Sequence, residues 1–305
     1  MTSSSELARP GTPGGLATPS DLVDLEALLA AYETRRPDPG IASQRVAFGT
    51  SGHRGSALDG TFNDDHIAAI TQAIVEFRAK EGIQGPILLG KDTHASSEQA
   101  ERTAAEVLAA NGVPVQVQNG QGITATPIVS RAIVAFNAGR ADDDSGRADG
   151  IIITPSHNPP RDGGFKYNPP DGGPAGGEIT GWIERRANEI LEGGLAAVER
   201  VDGGDRPLAS LDHIEETDFI RPYVVALSSI VDVEAIRSAG LRLATHPLGG
   251  ASLPVWPVLA EVHGIDVTVV DRTIDPRFAF MTLDRDGLIR MDCSSPQAMA
   301  PLVKT

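Results

Sequence analysis

The densest chemistry in the sequence lies in Thr154-Pro155-Ser156-His157-Asn158-Pro159-Pro160, directly after the apolar run Ile151-Ile152-Ile153. A hydroxyl and an imidazole flanked by prolines suit a reactive group on a stiffened backbone, because proline fixes its own φ and restricts the residue before it. Ser156 and His157 do not read as a hydrolase pair. Adjacent side chains diverge, and the Gly-x-Ser-x-Gly elbow is absent. Two readings stay open for this segment: a serine that carries a phosphoryl group, and a plain proline-rich turn. Ten residues on from Ser156, Lys166 follows the turn-forming Asp162-Gly163-Gly164. A lysine folded back beside a reacting hydroxyl serves as general base if its pKa is lowered. Without that partner it reads as a solvated lysine on a hairpin.

A second segment, Phe48-Gly49-Thr50-Ser51-Gly52-His53-Arg54-Gly55, combines three glycines, two hydroxyls and one arginine. Glycine lets backbone N–H groups approach an anion, hydroxyls add donors, and arginine adds a planar fork. Thr50, Ser51, His53 and Arg54 are therefore candidate phosphate-binding residues; a tight turn with incidental polar residues is the alternative. No Gly-Lys-Ser/Thr ending exists, so this is not a Walker A loop. Lys91, Asp92 and His94 follow another apolar run and are placed to line the same cleft, with no individual role legible. Asp142-Asp143-Asp144 reads as a solvated loop, and Asp284 and Asp286 lack the further ligands of a calcium loop. The seven histidines include no His-x-x-x-His pair.

These segments need elements to position them. Residues 21–36 read as a short helix, stopped by Pro37-Asp38-Pro39-Gly40. Asn63 is placed to cap a helix over 64–80, where Ile67, Ile70, Ile74 and Phe77 share a face. Ser96-Ser97-Glu98-Gln99 has capping-box spacing before a third helix, which Asn111-Gly112 closes. Thr126-Pro127 opens another, and 177–192 holds one more. Strands are expected at 86–90, 113–117 and 151–153. This alternation predicts an α/β fold of mixed, mostly parallel sheets flanked by helices, with function in the loops after Leu89, Val117 and Ile153. Further on, strands are expected at 241–245 and 265–270, a hairpin around Asp284-Arg285-Asp286-Gly287, and a helix start at Ser294-Ser295-Pro296. The expected organisation is a disordered tail over 1–20, a first domain over 21–220 and a partial second domain over 221–305.

The 305 residues carry 26 Lys plus Arg against 41 Asp plus Glu, a net charge of −15. That balance argues against nucleic acid or an anionic membrane as partner. No apolar run reaches the ~18 residues of a membrane helix. The single cysteine, Cys293, permits no intramolecular disulfide and predicts a reducing, cytoplasmic setting.

Together, residues 46–55, 91–94, 123–127, 154–175 and 292–295 resemble the phosphoglucomutases of the α-D-phosphohexomutase superfamily, in the bacterial form specific for α-D-glucose phosphate. The resemblance runs from about residue 46 to 305 and corresponds to the amino-terminal half of such enzymes. It implies interconversion of glucose 1-phosphate and glucose 6-phosphate through glucose 1,6-bisphosphate, with a phosphosugar as partner. It implies Ser156 as the phosphoserine, Lys166 as general acid/base, Arg54 as an active-site contact and His157 beside the transferring phosphoryl group. It further implies one Mg²⁺ held by an oxygen of the Ser156 phosphate and by carboxylates of an Asp-x-Asp-x-Asp-Arg loop. No such loop occurs in these residues, and the family's usual Asp before Pro247 is His246. The expectation is therefore a chain inactive as a mutase alone, the amino-terminal half of such an enzyme through truncation or a split gene, with the carboxyl-terminal half as a separate chain in the second case. A mannose- or glucosamine-phosphate mutase and a non-catalytic phosphosugar-binding module are the alternatives.

Overall fold

The computed structural model of the protein describes residues 8–49 and 52–303. Thr50 and Ser51, two of the candidate phosphate ligands, lie outside the described residues. Helix α1 spans Leu25–Thr34. Strands β1 (Phe48–Gly49) and β2 (Gly52–Ser56) follow, then α2 (Asp64–Glu81), β3 (Ile87–Lys91), α3 (Ser97–Ala110), β4 (Val115–Gln118), α4 (Thr126–Asn137), β5 (Asp149–Ile153), β6 (Asp162–Asn168), α5 (Gly177–Glu192) and β7 (Ile214–Thr217). The remainder holds α6 (Ile220–Ala226), α7 (Val233–Ser238), β8 (Arg242–Thr245), α8 (Val255–His263), β9 (Asp266–Val269) and α9 (Ala300–Val303).

The first seven strands form one sheet in the order β1-β2-β6-β5-β3-β4-β7. It is mixed. β7, β4, β3 and β5 run parallel, whereas β6, β2 and β1 pair antiparallel. Period-two alternation sorts the side chains between the two faces. Ile87, Leu89, Ile151, Ile153, Phe165 and Tyr167 face one core with α2, α3 and α5, while Leu88 and Ile152 face another with α4 and α6. α8 packs on α6, and β8 and β9 form a separate parallel pair. No helix among the described residues is long and apolar enough to cross a membrane.

Helix α2 starts as its sequence dictates. Asn63 N–H donates to His66 Nδ1 at 3.1 Å, which closes the N-terminus, and Gly82 ends the helix in left-handed backbone. The expected box at the start of α3 does not form. Ser96 has helical backbone rather than the extended conformation a cap adopts, and its hydroxyl and the Gln99 side-chain oxygen are buried without a hydrogen-bond partner. The expected tail is also corrected over residues 8–20; residues 1–7 lie outside the described residues. From residue 8 onward the chain docks: Gly14 N–H donates to the Leu283 carbonyl at 2.8 Å, Leu283 N–H returns to Gly15 at 2.9 Å, and Ala17 packs on the cluster of Phe278, Met281 and Leu283. Apolar burial outweighs the local preference of this Gly-Pro-rich stretch for disorder. The expected hairpin shrinks to one bridge, Leu283 to Ile289, and the helix expected at 294–296 appears only as α9.

Candidate active site

The loops after β3, β4 and β5 converge on a cleft of about 320 Å³. Asp92, Thr93 and His94 come from the first, Thr124–Pro127 from the second, and Thr154, Ser156 and His157 from the third. Pro247 to Gly249 and Met291 to Cys293 supply the opposite wall. These are the carboxyl ends of parallel strands, where such sheets present reactive groups.

Ser156 is exposed at the head of its loop and has φ 72°, left-handed backbone that a side chain rarely adopts. Such a conformation costs on the order of 1–3 kcal/mol and persists only where the surroundings enforce it. Here Ser156 N–H donates to Thr154 Oγ1 at 2.8 Å, and Thr154 N–H is fixed to the Gly164 carbonyl at 2.9 Å. Gly164 has to lack a side chain, since a Cβ there would lie 2.2 Å from the Thr154 carbonyl oxygen. His157 is also exposed, with Nε2 3.8 Å from Asp292 Oδ2. Two hydrogen bonds from Ser294 keep the Asp292 carboxyl below the ordinary carboxylate range, with the His157 ring adding to the effect.

Lys166 and Arg54 are not among the residues that line this cleft; they share one face of the β2/β6 pair. Arg54 pairs with Gly164 and Lys166 with Ile152, so both belong to the α4 side of the sheet. Lys166 is half-buried. Burial, and then the Arg54 charge, lower its pKa, with Asp92 opposing. A neutral lysine amine is what a general base requires.

Two further sequence candidates are turned into the core. His53 has the opposite parity to Arg54 and points into the core beneath α2. Its Nε2 donates to the Thr61 carbonyl at 2.9 Å and its Nδ1 accepts from Ala47 N–H at 3.3 Å, so both nitrogens are used by the neutral ring. It stacks on Phe62 and His66, and burial lowers its pKa to about 4. Lys91 shares the parity of Ile87 and Leu89, and its Nζ meets Glu101 of α3 at 2.6 Å in a buried ion pair. Asp92 and His94, one and three positions later, do reach the cleft. Thr124, which carried no assignment, lies at the cleft with its hydroxyl buried and without a hydrogen-bond partner. Its segment, 123–127, carried part of the resemblance, but no residue pattern singled out its hydroxyl.

Residues 45–193 match the family model described as phosphoglucomutase/phosphomannomutase, alpha/beta/alpha domain I. The chain is 50% identical over 285 residues to a phosphoglucomutase of Komagataeibacter xylinus, covering 93% of this chain and 50% of that one. It is 29% identical over 235 residues to a phosphoglucosamine mutase of Deinococcus radiodurans, covering 77% of this chain and 47% of the relative. In fold it resembles the open form of the exocytosis-sensitive phosphoprotein pp63/parafusin, a phosphoglucomutase from Paramecium. The TM-score is 0.61 at 20% identity, over 81% of this chain and 46% of that one. The chain spans about half the length of the curated relatives it matches. With its domain I match, its serine loop at the end of β5 and a half-identical relative, the chain belongs to the phosphoglucomutase/phosphomannomutase family.

Proposed function

We propose that the chain carries the phosphoryl-transferring part of a phosphoglucomutase, with Ser156 as phosphoryl carrier between glucose 1-phosphate, glucose 1,6-bisphosphate and glucose 6-phosphate. The observation that carries this reading is the exposed Ser156 hydroxyl, held in left-handed backbone at the end of a buried parallel strand. Glucose is favoured by the 50% identity to a relative named phosphoglucomutase, against 29% to one named for glucosamine phosphate. The single Cys293 fits a reducing, cytoplasmic setting.

In the forward step the free sugar hydroxyl attacks the phosphorus of phosphoserine. The new O–P bond forms as the Ser156 Oγ–P bond breaks, and Lys166 takes the hydroxyl proton. The bisphosphate then turns, its other phosphoryl group passes to Ser156 Oγ, and Lys166 returns the proton to the departing sugar oxygen. A phosphoserine carries about −1.5 to −2 charge at neutral pH. The cationic Arg54 beside Lys166 offsets part of its repulsion for a second phosphate. Mg²⁺ is the ion such a transfer is expected to use. The described residues do not fit one: no group of three or more His, Cys, Asp or Glu converges among them. Asp92, the carboxylate bonded to the serine loop, has both oxygens engaged by His94 and Ser97. No step is therefore assigned to the ion. Relatives of this family are about twice as long, so low turnover by these 305 residues alone goes with the reading.

The test is to incubate the purified chain with glucose 1,6-bisphosphate and Mg²⁺, then weigh it and map the modified peptide. One phosphoryl group on Ser156, absent from Ser156→Ala, is expected. The variant should fold normally, since an exposed loop hydroxyl contributes little to stability. Label retained by Ser156→Ala, or none on folded wild-type chain, overturns the reading.

A further inference from the structure

His94 is buried in the loop between β3 and α3 and has no part in the transfer steps above. Its Nδ1 lies 2.8 Å from Asp92 Oδ2, and its Nε2 lies 3.1 Å from the Asn158 carbonyl oxygen. A carboxylate oxygen and a carbonyl oxygen only accept. Each contact therefore needs a proton on its own ring nitrogen, and a neutral imidazole carries one proton for two nitrogens. Only the imidazolium satisfies both.

The counter-ion is well prepared. Asp92 Oδ1 accepts from the His94 backbone N–H at 2.9 Å and from Ser97 Oγ at 2.7 Å. The Thr154 hydroxyl adds a bond to the same carboxylate. Thr154 Oγ1 in turn accepts from Ser156 N–H at 2.8 Å. Asp92 and His94 thus grip the serine loop at two points, Thr154 before Ser156 and Asn158 after it. Asp162, at the start of β6, adds a further attraction to the His94 charge, and the Phe278 ring stands edge-on at 5.0 Å. The Asp92 interaction raises the His94 pKa against the effect of burial, in line with the geometry.

We propose that His94 is a positioning residue for Ser156: an imidazolium, anchored on Asp92, that donates to the Asn158 carbonyl and holds the serine loop in its left-handed conformation. A buried charge survives only where pairing and hydrogen bonds compensate it, and here both ring nitrogens have partners. A neutral substitute at this position cannot hold Asp92 and Asn158 together in the same way. The inference rests on the reading of Ser156 as carrier for its consequence in phosphoryl transfer, but not for the protonation state or the order of the loop.

Three measurements on the full chain decide it. Ring ¹⁵N spectra at pH 7 should show both His94 nitrogens protonated, with the signals assigned by their loss in His94→Gln. A single protonated nitrogen overturns the proposal. Hydrogen exchange should be about tenfold faster or more in peptides covering 154–158 in His94→Gln and in Asp92→Asn, with the core of α2 and β5 unchanged. Equal protection of the loop overturns it. Should His94→Gln fail to fold, the His94 ring signals are assigned by their shift in Asp92→Asn, and the exchange of that variant decides. Phosphorylation of Ser156 by glucose 1,6-bisphosphate should slow by about 10²-fold in His94→Gln, since small misplacement of a reacting group has that effect. An unchanged rate with loosened exchange also overturns it. A wild-type chain that takes no label overturns the carrier role of Ser156, and the ring and exchange results judge His94 independently.

Discussion

Within β2 the parity of the strand sends His53 into the core and Arg54 to the Lys166 face. Each has a consequence that can be measured. Arg54 lowers the pKa of the Lys166 amine after burial has done so. Arg54→Gln removes a like charge, so the Lys166 pKa should rise. Transfer to a sugar hydroxyl needs the neutral amine, so its pH–rate profile should move to higher pH in this variant. A profile that stays in place would remove Lys166 as the base. His53 is neutral and buried, with a folded pKa of about 4 against 6.5 unperturbed. Between those values the unfolded chain binds more protons, so stability rises with pH through this window and is lost on acidification from pH 6.5 toward 4. A shift of that size is worth about 3 kcal/mol. Burial lowers the His66 pKa as well, with the same sign. Urea midpoints across pH 4 to 7 should show this slope, and His53→Gln should flatten it. An unchanged slope assigns the acid sensitivity to other groups.

The elements around the site are held by close backbone approaches. β6 runs so near the serine loop that a Cβ at Gly164 would lie 2.2 Å from the Thr154 carbonyl and 2.6 Å from Pro155. Gly164→Ala should therefore shift the loop and slow labelling of Ser156, with a stability loss of about 1–3 kcal/mol typical of overpacking. Wild-type labelling kinetics in this variant would show that the loop adapts freely. The glycines that permit this approach also hid the strand: Gly52, Gly55, Gly163 and Gly164 are residues that strands generally avoid. Helices were far more legible. Asn63 before α2, Pro127 in the first turn of α4 and the bounds of α5 follow from signals a few residues long. The expected box at Ser96 fails because the β3–α3 loop holds Ser96 in helical backbone, where its hydroxyl does not reach the first-turn N–H groups.

Across the whole molecule, the amino-terminal stretch and the 278–298 segment support one another. Leu16 bridges to Thr282, and Ala17 and Leu22 pack against Phe278, Met281 and Leu283. Phe278 also stands edge-on to His94 in the β3–α3 loop, and the Thr93 hydroxyl donates to the Gly249 carbonyl. Deleting residues 1–17 should speed hydrogen exchange across 278–291 while leaving the seven-stranded sheet protected. Unchanged exchange there would show that the contacts of residues 8–17 carry no stability. The three cores make this separation physical, since none of the residues of the third cluster belongs to the two that flank the sheet.

Local signals in the sequence determined helices α1 to α5, the buried strands β3 and β5, and the placing of Ser156 at the end of β5, because helix caps, apolar periodicity and proline restrictions act over a few residues. Which of two chain neighbours enters the core was decided only in three dimensions. His53 and Arg54, like Lys91 and Asp92, part company through strand parity and the turn that follows. Parity acquires meaning only when a pairing partner fixes which face is the core. The bond from His94 to Asn158 joins residues 64 apart. No spacing rule announces such a contact, because its existence depends on two loops meeting at the same edge of the folded sheet.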